Sequence, residues 1–197
     1  YNYKLIAFTV DHQLRKNSAK EAKHVKNIMN TLKIDHYKLE WAKEKPKTKI
    51  QESARIARYN ILSEACNKYK CNNILLAHHA DDQVETFILR LQSNSGLDGL
   101  SCMQQKITIL TSCGPLNLIR PLLNTRKKTL IAICEKNNVP WIEDPSNLDM
   151  KYSRSKIRKL LVRSNMFDSF NKSIILFSKL KLGIDKIIYN NMKNSIK

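Results

Sequence analysis

The chain has 197 residues, enough for one substantial core with room for part of a second domain. Its 35 Lys and Arg against 17 Asp and Glu leave a formal charge of +18, which points to a polyanion such as RNA or DNA rather than an acidic partner; a lysine-favouring codon bias is the plain alternative. No apolar run approaches the roughly 20 residues of a membrane helix, and five cysteines without a C-x-x-C pair fit neither a disulfide framework nor a zinc site, so a cytoplasmic protein with reduced thiols is expected.

Tyr1 leads almost directly into the apolar run Lys4 to Val10, so we expect a truncation upstream of it. That run is the first predicted strand, and Ser18 with Glu21 marks a helix start before Ala22, Val25, Ile28, Met29 and Leu32. A second strand is predicted at His36 to Leu39. Helical spacing then returns through Ala54, Ala57, Ile61, Leu62 and Ala65, within Glu52 to Tyr69. Asn73 to Ala77 is a third strand of the kind buried on both faces, followed by a helix over Asp82 to Leu91. Threefold alternation of strand and helix predicts an α/β fold with a doubly wound parallel sheet, its ligands gathered where strands end. The residues just after Val10 and Ala77 are therefore the candidates.

Beyond Gly96, short strands are predicted at Ile107 to Leu110 and Leu116 to Ile119. Thr125 is expected to cap a helix that reaches Lys136 and closes at Asn137 and Asn138. From Ile157 the chain reads as basic helices interrupted near Asn165 and Gly183. Lys151 to Lys197 holds twelve basic and two acidic residues, a surplus of ten that leaves eight for the first 150. The tail is thus the stronger polyanion candidate. We expect a catalytic domain over residues 1–160 and, over 161–197, the start of an incomplete further domain.

The segment from His78 to Thr86 falls where the third strand gives way to a helix. Its two histidines and neighbouring carboxylates suit a metal site, while a blander reading has Asp82 capping the helix with Glu85 completing the box. Arg55 and Arg58, one turn apart, suit phosphate binding or an exposed pair of helix cations. Arg120, Arg154, Lys156 and Arg158 are candidates for phosphate contact, with a solvated face as the alternative. Trp141 is expected in the core, and stacking on an unpaired base is the other use open to it and to Tyr152.

The pattern H-x-x-D-D-x-x-E-T, here His78, Asp81, Asp82, Glu85 and Thr86, closely resembles a signature of the tRNA(Ile)-lysidine synthetases, in the ATP-pyrophosphatase superfamily with its Rossmann-like, adenine nucleotide alpha hydrolase type of domain. Further matches follow in family order. Val10-Asp11-His12 with Leu14-Arg15 resembles V-D-H-x-L-R, and Glu52, Ala54, Arg55, Arg58 and Tyr59 resemble E-x-A-R-x-x-R-Y. Gly96 to Leu100 resembles G-L-x-G-L, Arg120-Pro121-Leu122 resembles R-P-L, and Trp141, Glu143, Asp144, Ser146 and Asn147 fit W-x-E-D-x-S-N. The chain also departs from the family. It contains no S-G-G-x-D-S phosphate loop, has Ser93-Asn94-Ser95-Gly96 in place of R-G-x-G, and has Arg154-Ser155-Lys156-Ile157-Arg158 in place of R-N-x-[IL]-R.

The resemblance implies ATP-dependent adenylation of the wobble cytidine of a tRNA(Ile) with a CAU anticodon, then attack by free L-lysine, with Mg2+ assisting. It implies that Asp82 and Glu85 hold the lysine ammonium and that Arg55 and Arg58 serve the triphosphate. His12, Arg15, His78 and Asp81 would lie nearest ATP, and Arg120, Arg154, Lys156 and Arg158 nearest the tRNA. No metal ligand is assigned, and a homodimer is left open. Without the glycine-rich loop the 197 residues are expected to be inactive alone. The other readings are a tRNA thiolase of the same superfamily, a phosphohydrolase with a metal on His78, His79 and Asp81, and an RNA-binding module without catalysis.

Overall fold

The computed structural model describes residues 4–11, 18–41, 50–141 and 153–195. The chain divides into two compact units, one of Tyr1–Ile74 with Thr108–Leu118 and one of Leu75–Ile107 with Ile119–Lys197.

In the first unit, strand β1 (Ile6–Asp11), helix α1 (Ser18–Thr31) and strand β2 (Asp35–Glu40) form a β-α-β crossover. The two strands pair in parallel, from Ile6 opposite Asp35 to Asp11 opposite Glu40. A parallel neighbour requires such a crossover, and α1 supplies it by turning Ala22, Val25, Ile28 and Met29 to one face. Lys33, in the left-handed region at φ 55°, stops the helix, and Ile34 N–H closes on the Met29 carbonyl at 2.9 Å. Helix α2 (Ile50–Lys68) buries Ala54, Leu62, Ala65 and Cys66, and it ends through Lys70 at φ 52°.

Strand β3 (Asn73–Leu75) lies beside β5 (Gly114–Ile119), which lies beside β4 (Lys106–Thr111). Asn117 N–H donates to the Asn72 carbonyl and Leu76 N–H to the Ile119 carbonyl, each at 2.8 Å. Residue numbers rise together along both strands, the sense of a parallel pair. Among the described residues, β1 and β2 form a sheet of their own, and β3 takes β5 as its neighbour rather than either of them. The expectation that β3 is buried on both faces is corrected, since Ile74 is buried while Leu75 is 60% exposed. The predicted strands near 107 and 116 are present as a hairpin. Its short turn ends on Gly114 at φ +105°, where a side chain would be strained.

The second unit is organised around helix α3 (Ala80–Gln92). Ala80, Val84 and Phe87 meet Phe167 and Ile174 of the long helix α7 (Phe167–Ser195) in one buried cluster. The Phe87 ring lies 6.0 Å from that of Phe170 and 5.9 Å from that of Phe177. Each such side chain, taken from water, stabilises the unit by about 1.5–3 kcal/mol. The one-turn helix α4 (Leu97–Leu100) follows, and buried Gln83 holds the next segment by donating to the Met103 carbonyl at 2.8 Å and accepting from its N–H at 2.9 Å.

Helix α5 (Lys127–Lys136) is closed by Asn137, as expected, but its N-cap is Arg126 rather than Thr125. Helix α6 (Ser153–Ser164) ends before Asn165, which sits at φ 50°, so the break predicted there is real. No break occurs at Gly183, because α7 runs straight through it. One glycine costs a helix only about 1 kcal/mol, too little by itself to break one of this length. Trp141 is 45% exposed rather than in the core. The chain leaves α5 through Asn138 at φ 52° and then Pro140, which carries it past the helix end.

Candidate active site

The start of α3 gathers the acidic residues. His79 is the N-cap, extended at φ −124° and ψ 177°, and its Nδ1 accepts from Asp82 N–H at 3.3 Å while Asp82 Oδ2 accepts from His79 N–H at 3.0 Å. This reciprocal box satisfies two backbone donors and sets Asp81 and Asp82 in the first turn, where the helix dipole favours negative charge. The register corrects the capping alternative in the sequence. Asp82 belongs to the box as its third helical residue, not as its cap, and Glu85 takes no part in it.

Glu85 instead turns inward and is 1% exposed. Arg158 of α6 forks onto it, Nε to Oε1 and Nη2 to Oε2 at 3.2 Å, and Arg154 Nη1 lies 3.8 Å from Oε2. Hydrogen bonding to Glu85 is the foremost cause that raises the Arg158 pKa above its ordinary value, burial opposes it, and the charges of Glu85, Asp82 and Asp81 add to it. Two parallel charge-assisted bonds fix the guanidinium in position as well as in charge. Glu85, one turn beyond Asp82 on α3, therefore already holds a cation.

Asp81 faces the start of α5. Its Oδ2 accepts from Lys127 N–H at 2.7 Å and its Oδ1 from Arg126 Nε at 3.3 Å, while Ala80 N–H donates to the Thr125 carbonyl at 2.9 Å. The Arg126 guanidinium also lies 3.2 Å from the centroid of the Phe167 ring. Asp81 thus supplies from another helix the acceptor that Thr125 was expected to provide. Arg126 was missed by the sequence reading, since nothing in its spacing reveals that residues 45 positions away meet it.

The remaining candidates separate. Arg120 was expected at a phosphate contact, but it is 4% exposed and its Nη1 donates to the Gln104 carbonyl at 2.7 Å. Leu116 and Leu118 alternate along β5 on its buried face, and Arg120, just past the end of that strand, is buried as well. Arg154 and Lys156 are exposed on α6. Arg55 and Arg58 are exposed on α2 in the first unit, with Arg55 5.3 Å over the Tyr59 ring. Asp11, buried, ends β1, and His78 follows the end of β3, so each lies at a carboxyl strand end of its own unit. His12, Arg15 and Tyr152 lie outside the described residues. No three His, Cys, Asp or Glu side chains among the described residues come together as a metal site.

Residues 1–165 match the model of the PP-loop domain family. The chain belongs to that family. This PP-loop domain is 40% identical over 172 residues to a tRNA(Ile)-lysidine synthase of Wolbachia pipientis wMel, covering 87% of the chain and 39% of that relative. It is 36% identical over 182 residues to one of Rickettsia akari, covering 92% of the chain and 40% of the relative. A match to one of Bradyrhizobium diazoefficiens is 40% identical over 158 residues, covering 80% and 43%. The chain therefore spans about two fifths of the length of these curated relatives. Its backbone superposes on the U34-tRNA thiolase NcsA from Methanococcus maripaludis, a [4Fe-4S] protein, with a TM-score of 0.69 at 13% identity, over 94% of this chain and 63% of that one. That likeness shows the fold, a Rossmann-like α/β domain with a helical C-terminal part.

Proposed function

We propose that this PP-loop domain belongs to a tRNA(Ile)-lysidine synthetase, which uses ATP to join free L-lysine to C2 of the wobble cytidine of a tRNA(Ile) with a CAU anticodon. The single observation that carries the reading is that buried Glu85 holds a cation, Arg158, one turn beyond Asp82 on a helix that follows a strand end. A carboxylate that holds a guanidinium there is equally suited to a lysine ammonium. The names of the relatives support the same reaction.

In this reading Arg55 and Arg58 serve the triphosphate, His12, Arg15 and His78 lie near the nucleotide, and Arg154 and Lys156 meet tRNA phosphates. Asp81, with both oxygens engaged by the start of α5, orients the site from behind. Mg2+ would be held largely by the nucleotide's own phosphates and water, as is common for that ion. Residues 1–160 are the catalytic part and 161–197 a basic helical segment.

The test uses a chain carrying the family's glycine-rich loop upstream of residue 1. Asp82→Asn and Glu85→Gln should each raise the KM for lysine by about tenfold to a hundredfold, the effect of losing one charged partner worth about 1.4–2.8 kcal/mol, with the KM for ATP little changed. Equal effects on both substrates would refute the assignment.

A further inference from the structure

The two partners at Glu85 are unequal. Glu85 is 1% exposed, so an ionised carboxylate there must always have a cation beside it. The Arg158 side chain remains 34% exposed, on a helix that also presents Arg154, Lys156 and Lys159 to solvent. Its guanidinium lies within reach of an arriving phosphate, which the planar fork can hold with two bonds. Glu85 is the enclosed member and Arg158 the solvent-facing one.

We propose that Arg158 is the resident counter-ion of the amine pocket, that a primary ammonium enters only by displacing it, and that the displaced guanidinium passes to a phosphate group of the other substrates. This rests on the reading of Asp82 and Glu85 as the amine pocket. A tethered guanidinium competes at an effective concentration on the order of millimolar, so free amine alone enters poorly. A phosphate that draws Arg158 away opens the pocket, and by reciprocity the amine frees Arg158 for phosphate. Arg158 is thereby a positioning residue that couples the two binding events.

Thermal unfolding of the 197-residue chain titrated with L-lysine, n-butylamine or methylguanidinium tests this, using wild type, Arg158→Ala, Arg158→Lys and the double variant Arg158→Ala with Glu85→Gln. Arg158→Ala, which leaves Glu85 with the more distant Arg154, should melt lower than wild type and regain on the order of 5 °C at saturating cation. Wild type and the double variant should each move by less than about 1 °C. Arg158→Lys should restore most of the wild-type melting temperature without added cation. A response of Arg158→Ala no larger than that of wild type overturns the proposal, as does an equal response in the double variant. If Arg158→Ala does not fold, the Arg158 Nε–H resonance of the wild-type chain decides, since it should shift when L-lysine and inorganic pyrophosphate are added together, and a signal unmoved by the pair overturns the proposal. Recovery with methylguanidinium but with neither amine keeps Arg158 as resident counter-ion and overturns the lysine reading of the pocket, so the two failures are distinguishable.

Discussion

Burial, more than residue type, decides how single side chains behave here. Desolvation is the main cause that pushes the Cys66 thiol up to about 12, with a hydrogen bond from that thiol to Cys71 adding to it, and desolvation pushes Cys102 up to about 11. Cys113 is exposed. A thiol-specific disulfide reagent at pH 8 should therefore modify Cys113 first, and Cys66 and Cys102 only as the chain unfolds. Early modification of Cys66 would contradict its burial. For these two thiols the neutral form is the folded one, so their contribution is complete below the ordinary value of 9.0 and is lost as pH rises toward their folded values. His36 shifts the other way. Burial lowers its pKa, helped by the Lys26 charge, and its Nε2 lies 2.9 Å from Thr9 Oγ1. A depressed folded value means the stabilisation is present above the ordinary value of 6.5 and is lost as pH falls below it. Melting curves at pH 7 and pH 5 should show a drop in wild type that His36→Gln reduces, and equal drops would exclude His36 as a cause.

At the scale of elements, the motif read as a G-L-x-G-L loop is one turn of helix packed close under α3. A Cβ added at Gly99 would lie 2.6 Å from Ser95 Cβ and 3.5 Å from Arg90 Cδ, whereas one at Gly96 would meet nothing within 4 Å. Gly99→Ala should therefore destabilise the fold by about 1–3 kcal/mol, the range for overpacking. Gly96→Ala should cost well under about 1 kcal/mol, and denaturant unfolding of the two variants compares them directly. Equal losses would show that the tight contact is not what requires glycine. Helix positions were legible because apolar residues recur every three or four residues along α1, α2 and α3. Cap registers were not. The cap of α3 needs His79 in an extended backbone with a free acceptor, and the acceptor at the start of α5 comes from Asp81, 46 residues earlier.

At the scale of the whole molecule, the surplus of ten charges beyond Lys151 lies largely on α6 and α7, where Arg154, Lys156, Lys159 and Lys172 are exposed. No helix among the described residues is long and apolar enough to cross a membrane. If about five phosphates are neutralised, tRNA affinity should fall roughly a hundredfold between about 50 mM and about 200 mM salt. Binding assays at those two concentrations check this, and a constant affinity would remove α6 and α7 as the polyanion surface. Charge reversal of Lys156 and Lys159 should flatten the slope, whereas Arg120→Gln should leave it unchanged, because Arg120 is buried.

The amino-acid sequence by itself determined the alternation of strands and helices, the family, and the acidic segment at the head of α3. These depend on local periodicity and on residues close together in the chain. Tertiary structure alone decided that β3 pairs with β5, that Arg120 faces inward, and that Glu85 is closed by Arg158, 73 residues away. A side chain's charge is written in the sequence, but its partner depends on which elements fold against each other. Burial then sets the outcome, because a carboxylate removed from water must take the nearest cation the fold presents.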